Sequence, residues 1–144
     1  MRITMEARPQ MNSAIELHDS ECLAIEQNSI GAGALVLDAY VHRSNGEPSE
    51  TPGEGGIQRV RFSVEAMSVS GRIGTLPATI YNGSLNIGGA SLDLIPLPFE
   101  SAQSCNLRLS LLDGEDFCIT GKAVRVTPEG EFRFVEHVEF STKK

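Results

Sequence analysis

Hydrophobic and polar residues alternate along most of the second half of the chain. Over residues 58–67 the alternation places Val60, Phe62, Val64 and Ala66 on one side of an extended segment. A period of two is typical of a β-strand with one buried face. Five further segments follow the same pattern: 76–81, 90–95, 106–112, 117–126 and 131–140. Within 106–112 the alternation places Leu107, Leu109 and Leu111 on one side. The pattern predicts an all-β fold with six strands over residues 57–144.

Turn-forming residues separate these segments. Pro96 and Pro98 end the third segment, because proline cannot donate a hydrogen bond within a sheet. Asp113-Gly114 and residues 127–130 have the composition of turns. Short turns without a long helical period indicate an antiparallel sheet. Closure into a β-barrel would remove the exposed edges, although the pattern alone does not distinguish a barrel from a sandwich.

The first half of the chain is less regular. Residues 13–17 and 21–26 fit either a strand or a helix, whereas residues 35–42 fit a strand. Residues 44–56 are rich in Gly, Pro, Ser and Glu and contain no large apolar residue, which is typical of a loop or linker. We therefore expect a β-rich N-terminal extension over 1–43, a linker over 44–56 and a β domain over 57–144. The extension could be an extra β-layer or a small module.

Charge is unevenly distributed along the chain. The net charge is −7, with −6 in residues 1–56 and −1 in residues 57–144. This acidic balance disfavours DNA and RNA, which bind basic surfaces, and makes the acidic first half a candidate surface for a protein partner. The longest apolar run, residues 32–37, is too short to cross a bilayer, and the N-terminus lacks the apolar region of a secretory signal. We expect a cytoplasmic protein without membrane insertion.

The residues that most often carry catalysis or bind metals are scattered. Three cysteines form no Cys-x-x-Cys pair and are expected to be reduced and buried: Cys22, Cys105 and Cys118. Three histidines lack metal-ligand spacing: His18, His42 and His137. The chain also lacks the sequence motifs of serine hydrolases, phosphate-binding loops, dinucleotide-binding domains and zinc proteases. We therefore expect no enzyme activity, no catalytic residue, no metal and no cofactor.

One turn carries a more specific signal. Ser84, Asn86 and the run Gly88-Gly89-Ala90 precede an alternating strand. This arrangement resembles the signature turn of PilZ domains, which are small bacterial β-barrels that in many cases bind cyclic di-GMP. The resemblance covers residues 57–140, from an arginine-bearing first strand to the closing strand at 132–135. It implies a six-stranded PilZ-like barrel with an additional N-terminal segment.

The resemblance also implies a ligand site. The family holds cyclic di-GMP with Arg-x-x-x-Arg near the first strand and with Asp/Asn-x-Ser-x-x-Gly at the turn. This chain has no Arg-x-x-x-Arg, but Arg59 and Arg61 share one side of a strand. At the turn, Ser84 and Asn86 present the polar pair in swapped order, and the alternative register Asn82-Gly83-Ser84 places Gly88 one residue late. The ligand-binding residues implied are Arg59, Arg61, Ser84, Asn86, Gly88 and Gly89.

The function implied by this resemblance is bacterial signalling without catalysis. In one version the module regulates by binding cyclic di-GMP or a protein partner. In the alternative version it binds no nucleotide and acts only as a protein-binding adaptor in the control of motility, pili or surface polysaccharide.

Overall fold

The computed structural model describes residues 12–28, 30–46 and 52–138 of the 144-residue chain. The described strands are β1 (Asn12–Gln27), β2 (Gly33–Ser44), β3 (Gly53–Glu65), β4 (Ser68–Gly71), β5 (Ala78–Ile87), β6 (Ala90–Leu92), β7 (Leu94–Pro96), β8 (Phe99–Ser101), β9 (Cys105–Leu111), β10 (Asp116–Gly121), β11 (Ala123–Pro128) and β12 (Arg133–Val138). The prediction of an all-β fold is confirmed, since these residues form one curled antiparallel sheet that resembles half of a barrel.

Strand order explains how the sheet encloses its core. Neighbouring strands follow the order β4-β10-β9-β5-β1-β2-β3-β11-β8, while β12 pairs with β3, β6 with β5 and β7 with β1. Strands from both halves of the sequence supply the most deeply buried side chains, which include Ile15, Leu37, Phe62, Leu85, Leu109, Ile119 and Val126. The predicted inward positions of β3 and β9 are therefore correct except at Ala66, where the backbone turns with a φ of 52°.

The first half of the chain is built into this sheet. β2 pairs with β3 from Gly33 opposite Val64 to Ser44 opposite Gly53, and β1 pairs with β2, β5 and β7. The prediction of a loop or linker over 44–56 is wrong at both ends, because Ser44 ends β2 and Gly53 begins β3. Residues 47–51 of that linker lie outside the described residues.

The composition that suggested a linker has a packing explanation. A Cβ at Gly55 would approach the Tyr40 hydroxyl to 2.1 Å, and a Cβ at Gly56 would approach the Arg133 carbonyl oxygen to 2.4 Å. Glycine is needed at these strand positions because neighbouring groups pass too close for a side chain. A run of glycines in the sequence therefore marks close approach within a sheet and not a break in it.

Six strands is an undercount for residues 57–144, because β3 to β12 lie in or extend into that range. The predicted single strand over 117–126 is two strands, β10 and β11, which pair with different neighbours. The Lys122 amide donates to the Glu65 carbonyl oxygen at 2.9 Å where the chain turns between them. Because of this turn, the buried side chains are at odd-numbered positions in β10, Phe117 and Ile119, and at even-numbered positions in β11, Val124 and Val126. Alternation alone cannot reveal such a corner.

The prediction that the three cysteines are buried is correct for two of them. Cys22 and Cys105 are buried, Cys118 is half-buried, and all three thiols are free. Burial raises the pKa of Cys22 to about 11. Within the described ranges, the protein has no helix with the length and apolar character needed to cross a membrane.

Candidate functional site

The two predicted ligand-binding arginines lie on the outer face of β3 and are already paired. Arg59 donates to both carboxylate oxygens of Asp38, from Nε at 3.0 Å and from Nη2 at 3.3 Å. Arg61 donates from Nε to Glu129 at 2.5 Å and from Nη1 to Glu26 at 2.9 Å. We call these five residues the ion-paired face.

The pairing changes what these arginines can bind. The hydrogen bond to Asp38 holds the pKa of Arg59 above its ordinary value, and the bonds to Glu129 and then Glu26 do the same for Arg61. Two guanidinium groups face three carboxylates, so the local charge is −1. A phosphate would have to compete with carboxylates that occupy the same donors. The ion-paired face is therefore poorly suited to an anion.

The predicted turn residues Ser84 and Asn86 lie elsewhere, on the outer face of β5. Ser84 is directly opposite Arg108 of β9, and Asn86 is opposite Asn106 of the same strand. The pairing continues across the sheet from β9 onto β10 and β4. We call the polar side chains of β4, β5, β9 and β10 that share this outer side the polar face: Ser68, Ser70, Asn82, Ser84, Asn86, Asn106, Arg108, Ser110, Asp116, Cys118 and Thr120.

Arg108 is the cation of the polar face. It is exposed, and among the described residues no hydrogen bond or ion pair engages its guanidinium. Asp116 is the single carboxylate of the face and is likewise unpaired within the described structure. The Oδ1 atom of Asn106 is buried without a hydrogen-bond partner there. The guanidinium of Arg108 and the carboxylate of Asp116 are therefore accessible to a ligand, whereas the Asn106 Oδ1 is covered by neighbouring atoms.

A cavity of about 220 Å³ opens beside Arg108. The polar side chains in its lining are Ser70, Arg108, Ser110, Asp116 and Cys118. This volume is below the range of about 300–1,000 Å³ typical of sites for drug-sized ligands. It is large enough for one charged group or one ring of a ligand that otherwise lies across the face.

The predicted glycines have a structural role in the hairpin between β5 and β6. Gly88 and Gly89 have φ angles of 54° and 94°, and Ile87 pairs with Ala90 across them. Two central residues with positive φ define the tight hairpin turn that favours a Gly-Gly pair. The Gly88 amide also donates to the Ser104 carbonyl oxygen at 3.0 Å. These contacts account for the glycine pair without a ligand.

The two parts of the predicted site are far apart along the sheet. β1 and β2 lie between β3 and β5, and the row that contains Arg59 passes through Asp38 and Glu21 to Thr79, five residues before Ser84. Three strand spacings and five residues of strand amount to about 20 Å along the sheet. Arg59 and Ser84 therefore do not share a ligand group.

Sequence reasoning missed Arg108 as a site residue, although the signal was present. The alternation over 106–112 placed Leu107, Leu109 and Leu111 in the core, and these three are buried. The same alternation puts Arg108 outside, but which strand it faces depends on the pairing of β9 with β5. That pairing joins segments of the chain separated by the β6–β8 region, which strand periodicity does not determine.

A second cluster lies where β1 bulges between its pairings with β2. Ligand atoms of Glu16, His18 and Asp19 lie within 4.8 Å of one another. The side chains of His18 and Asp19 are 53% and 66% exposed, and Glu16 contacts His42 Nε2 at 2.7 Å. Since exposed acidic groups often cluster without an ion, we assign no metal here.

In comparisons with protein families, curated proteins and solved structures, no family model, protein or structure matched the chain.

Proposed function

We propose that the chain is a non-enzymatic bacterial signalling module of the PilZ type that binds an anionic ligand on its polar face. Cyclic di-GMP is the first ligand to test. The observation that carries the proposal is the unpaired Arg108 directly opposite Ser84. A guanidinium can pair with a phosphate through two hydrogen bonds and stack on a base. Arg108 can do so without first breaking an ion pair within the described structure.

Other groups on the polar face support a nucleotide as the ligand. Guanine offers N–H donors along one edge, and these need acceptors. The exposed carboxylate of Asp116 supplies one acceptor beside Arg108. The side-chain amide of Asn86, on the neighbouring strand β5 of the same face, supplies a second. The combination of one cation with nearby acceptors favours a phosphate that carries a guanine base over a simple anion.

The ion-paired face favours a second candidate function. The arginines that correspond to the family motif are held by Asp38, Glu26 and Glu129. If this pairing persists with nucleotide present, the motif is not available for phosphate. The module would then be a protein-binding adaptor that binds no nucleotide and acts in the control of motility, pili or surface polysaccharide.

Calorimetric titration with cyclic di-GMP, with GTP as the control ligand, tests the proposal. We expect saturable binding of cyclic di-GMP that is lost in Arg108→Gln. It should persist in the double variant Arg59→Ala/Arg61→Ala. Arg133→Gln is the matched control, because Arg133 is exposed, unpaired within the described structure and on another strand.

Each alternative outcome has a distinct meaning. Binding that survives Arg108→Gln but is lost in Arg59→Ala/Arg61→Ala would place the ligand on the ion-paired face and overturn the assignment to the polar face. No heat with either nucleotide, together with no thermal stabilisation, would remove the receptor version and leave the adaptor. Equal binding of GTP would show a general anion site rather than a cyclic di-GMP receptor.

A further inference from the structure

The sheet has several edges, and one of them differs from the rest. Five strands pair with a single neighbour among the described strands. Four of these are short: β4 has 4 residues, and β6, β7 and β8 have 3 each. β12 has 6 residues, equivalent to about 20 Å of extended backbone. An edge strand of that length exposes a row of backbone donors and acceptors that can pair with another chain.

The side chains of β12 are also unusual. Residues 133–137 are all exposed, and Phe134 and Val135 are 51% and 55% exposed. They are adjacent in sequence, whereas the other large exposed apolar residues of the described structure are isolated: Ile30, Tyr81 and Leu112. β12 contains neither the proline nor the lysine that often protects an edge, and its protection consists of one bulge at Val135 and the charged side chains of Arg133 and Glu136.

Charge on β12 indicates what kind of segment would fit. Arg133 and Glu136 lie on the outer side of the strand, opposite Ile57 and Gly55 of β3. The Tyr40 hydroxyl donates to Glu136 at 2.5 Å, so this carboxylate is already engaged. Arg133 has no hydrogen bond or ion pair within the described structure. Arg133 and Glu136 leave the strand neutral overall, but Arg133 is the one of the two without a partner among the described residues, so a carboxylate opposite Arg133 would complement it.

We propose that β12 is a docking edge for an extended segment of a partner protein that alternates apolar and acidic residues. The segment adds to the sheet as a further strand beside β12. Backbone hydrogen bonds hold the segment, its apolar side chains contact Phe134 and Val135, and its carboxylate pairs with Arg133. This inference does not depend on nucleotide binding, because the edge and the polar face lie on different strands.

Amide hydrogen exchange of the full chain tests the docking edge. The probe is a short capped peptide that alternates valine with glutamate, compared with a matched peptide that has lysine in place of glutamate. At about 1 mM peptide, we expect the glutamate peptide to slow exchange of amides within β12 by about tenfold. The lysine peptide should have a smaller effect. Arg133→Glu should reverse this preference.

Two further variants separate docking from a general loss of structure. Phe134→Lys places a charge at the edge and should abolish the protection, whereas Ile30→Lys should leave it unchanged. Ile30 is 84% exposed and lies near Gly33, at the opposite end of β2 from the part that adjoins β12. No protection with either peptide would overturn the proposal. Protection centred on another edge would also overturn it. So would a preference between the two peptides that is unchanged in the Arg133→Glu variant.

Discussion

The ion-paired face and the polar face belong to the same sheet, yet the surroundings of their arginines are opposite in kind. On the ion-paired face, Arg59 and Arg61 are held by three carboxylates. On the polar face, Arg108 is unpaired among the described residues and lies opposite Ser84. The difference shows that residue type alone is a poor guide to an anion site. Whether neighbouring acids already occupy the donors decides what an arginine can bind.

The charge asymmetry of the sequence helps to explain this difference. Residues 1–56 carry a net charge of −6, and two of their acids, Glu26 of β1 and Asp38 of β2, accept hydrogen bonds from the arginines of β3. β2 brings Asp38 directly opposite Arg59 along a continuous antiparallel pairing. β5 and β9 come from the near-neutral second half and bring no acid opposite Arg108. Two acids of the first half, together with Glu129 of the second half, therefore pair the arginines of β3, whereas no acid pairs Arg108 within the described structure.

The largest expected effect tests whether the two faces share one core. Phe62 lies beneath the ion-paired face and Leu109 beneath the polar face, and both are fully buried. Phe62→Ala or Leu109→Ala should lower the free energy of unfolding by about 3–5 kcal/mol, through lost burial and the cavity left behind. Each variant should unfold in a single transition when followed by circular dichroism and by calorimetry.

A variant that melts in two steps would contradict a shared core. In that case the strands beneath the altered face would lose hydrogen-exchange protection while those beneath the other face kept it. The surface substitution Ile30→Ala is the control, because Ile30 is 84% exposed and its truncation should change stability by less than about 0.5 kcal/mol.

Sequence pattern predicted the inner side of the sheet better than the outer side. The alternation correctly identified Val60, Phe62 and Leu109 as buried, because burial follows from a period of two within one strand. The pairing of Arg108 with Ser84, or of Arg61 with Glu26, depends on which strands become neighbours. Those neighbours are distant in sequence, and one-residue changes in register or a corner such as the one at Lys122 alter them.

The second prediction concerns Cys22, which is buried between the strands of the two faces. Cys22 of β1 lies opposite Leu37 of β2 and opposite Ala78 of β5, where strands below the two faces meet. Burial raises its pKa from 9.0 to about 11 in the folded chain, so the unfolded chain loses this proton first as pH rises. The protonated thiol therefore contributes about 2–3 kcal/mol to the free energy of unfolding. This contribution is fully present below pH 9 and is lost as the pH rises from 9 to 11.

Urea unfolding measured from pH 8 to pH 11 checks this contribution. Cys22→Val keeps the apolar packing and removes the thiol, so its stability should fall less steeply above pH 9 than that of the original chain. Titration of lysines and tyrosines affects both proteins equally and cancels in the comparison. Identical pH profiles for the two proteins would mean that the Cys22 thiolate is solvated, and that water reaches the core between β2 and β5.

The smallest expected effect is also the most direct test of the comparison between the faces. Arg61→Gln leaves Glu26 and Glu129 without their shared cation, and we expect it to lower the free energy of unfolding by about 1 kcal/mol at low salt. Salt should reduce this loss, because it screens exposed charges. Arg108→Gln removes the same charge from a position without an ion pair in the described structure, and should change stability by less than about 0.5 kcal/mol. If urea unfolding showed equal losses of stability for the two variants, Arg108 would also be engaged, and the proposal that it is available to a ligand would have to be abandoned.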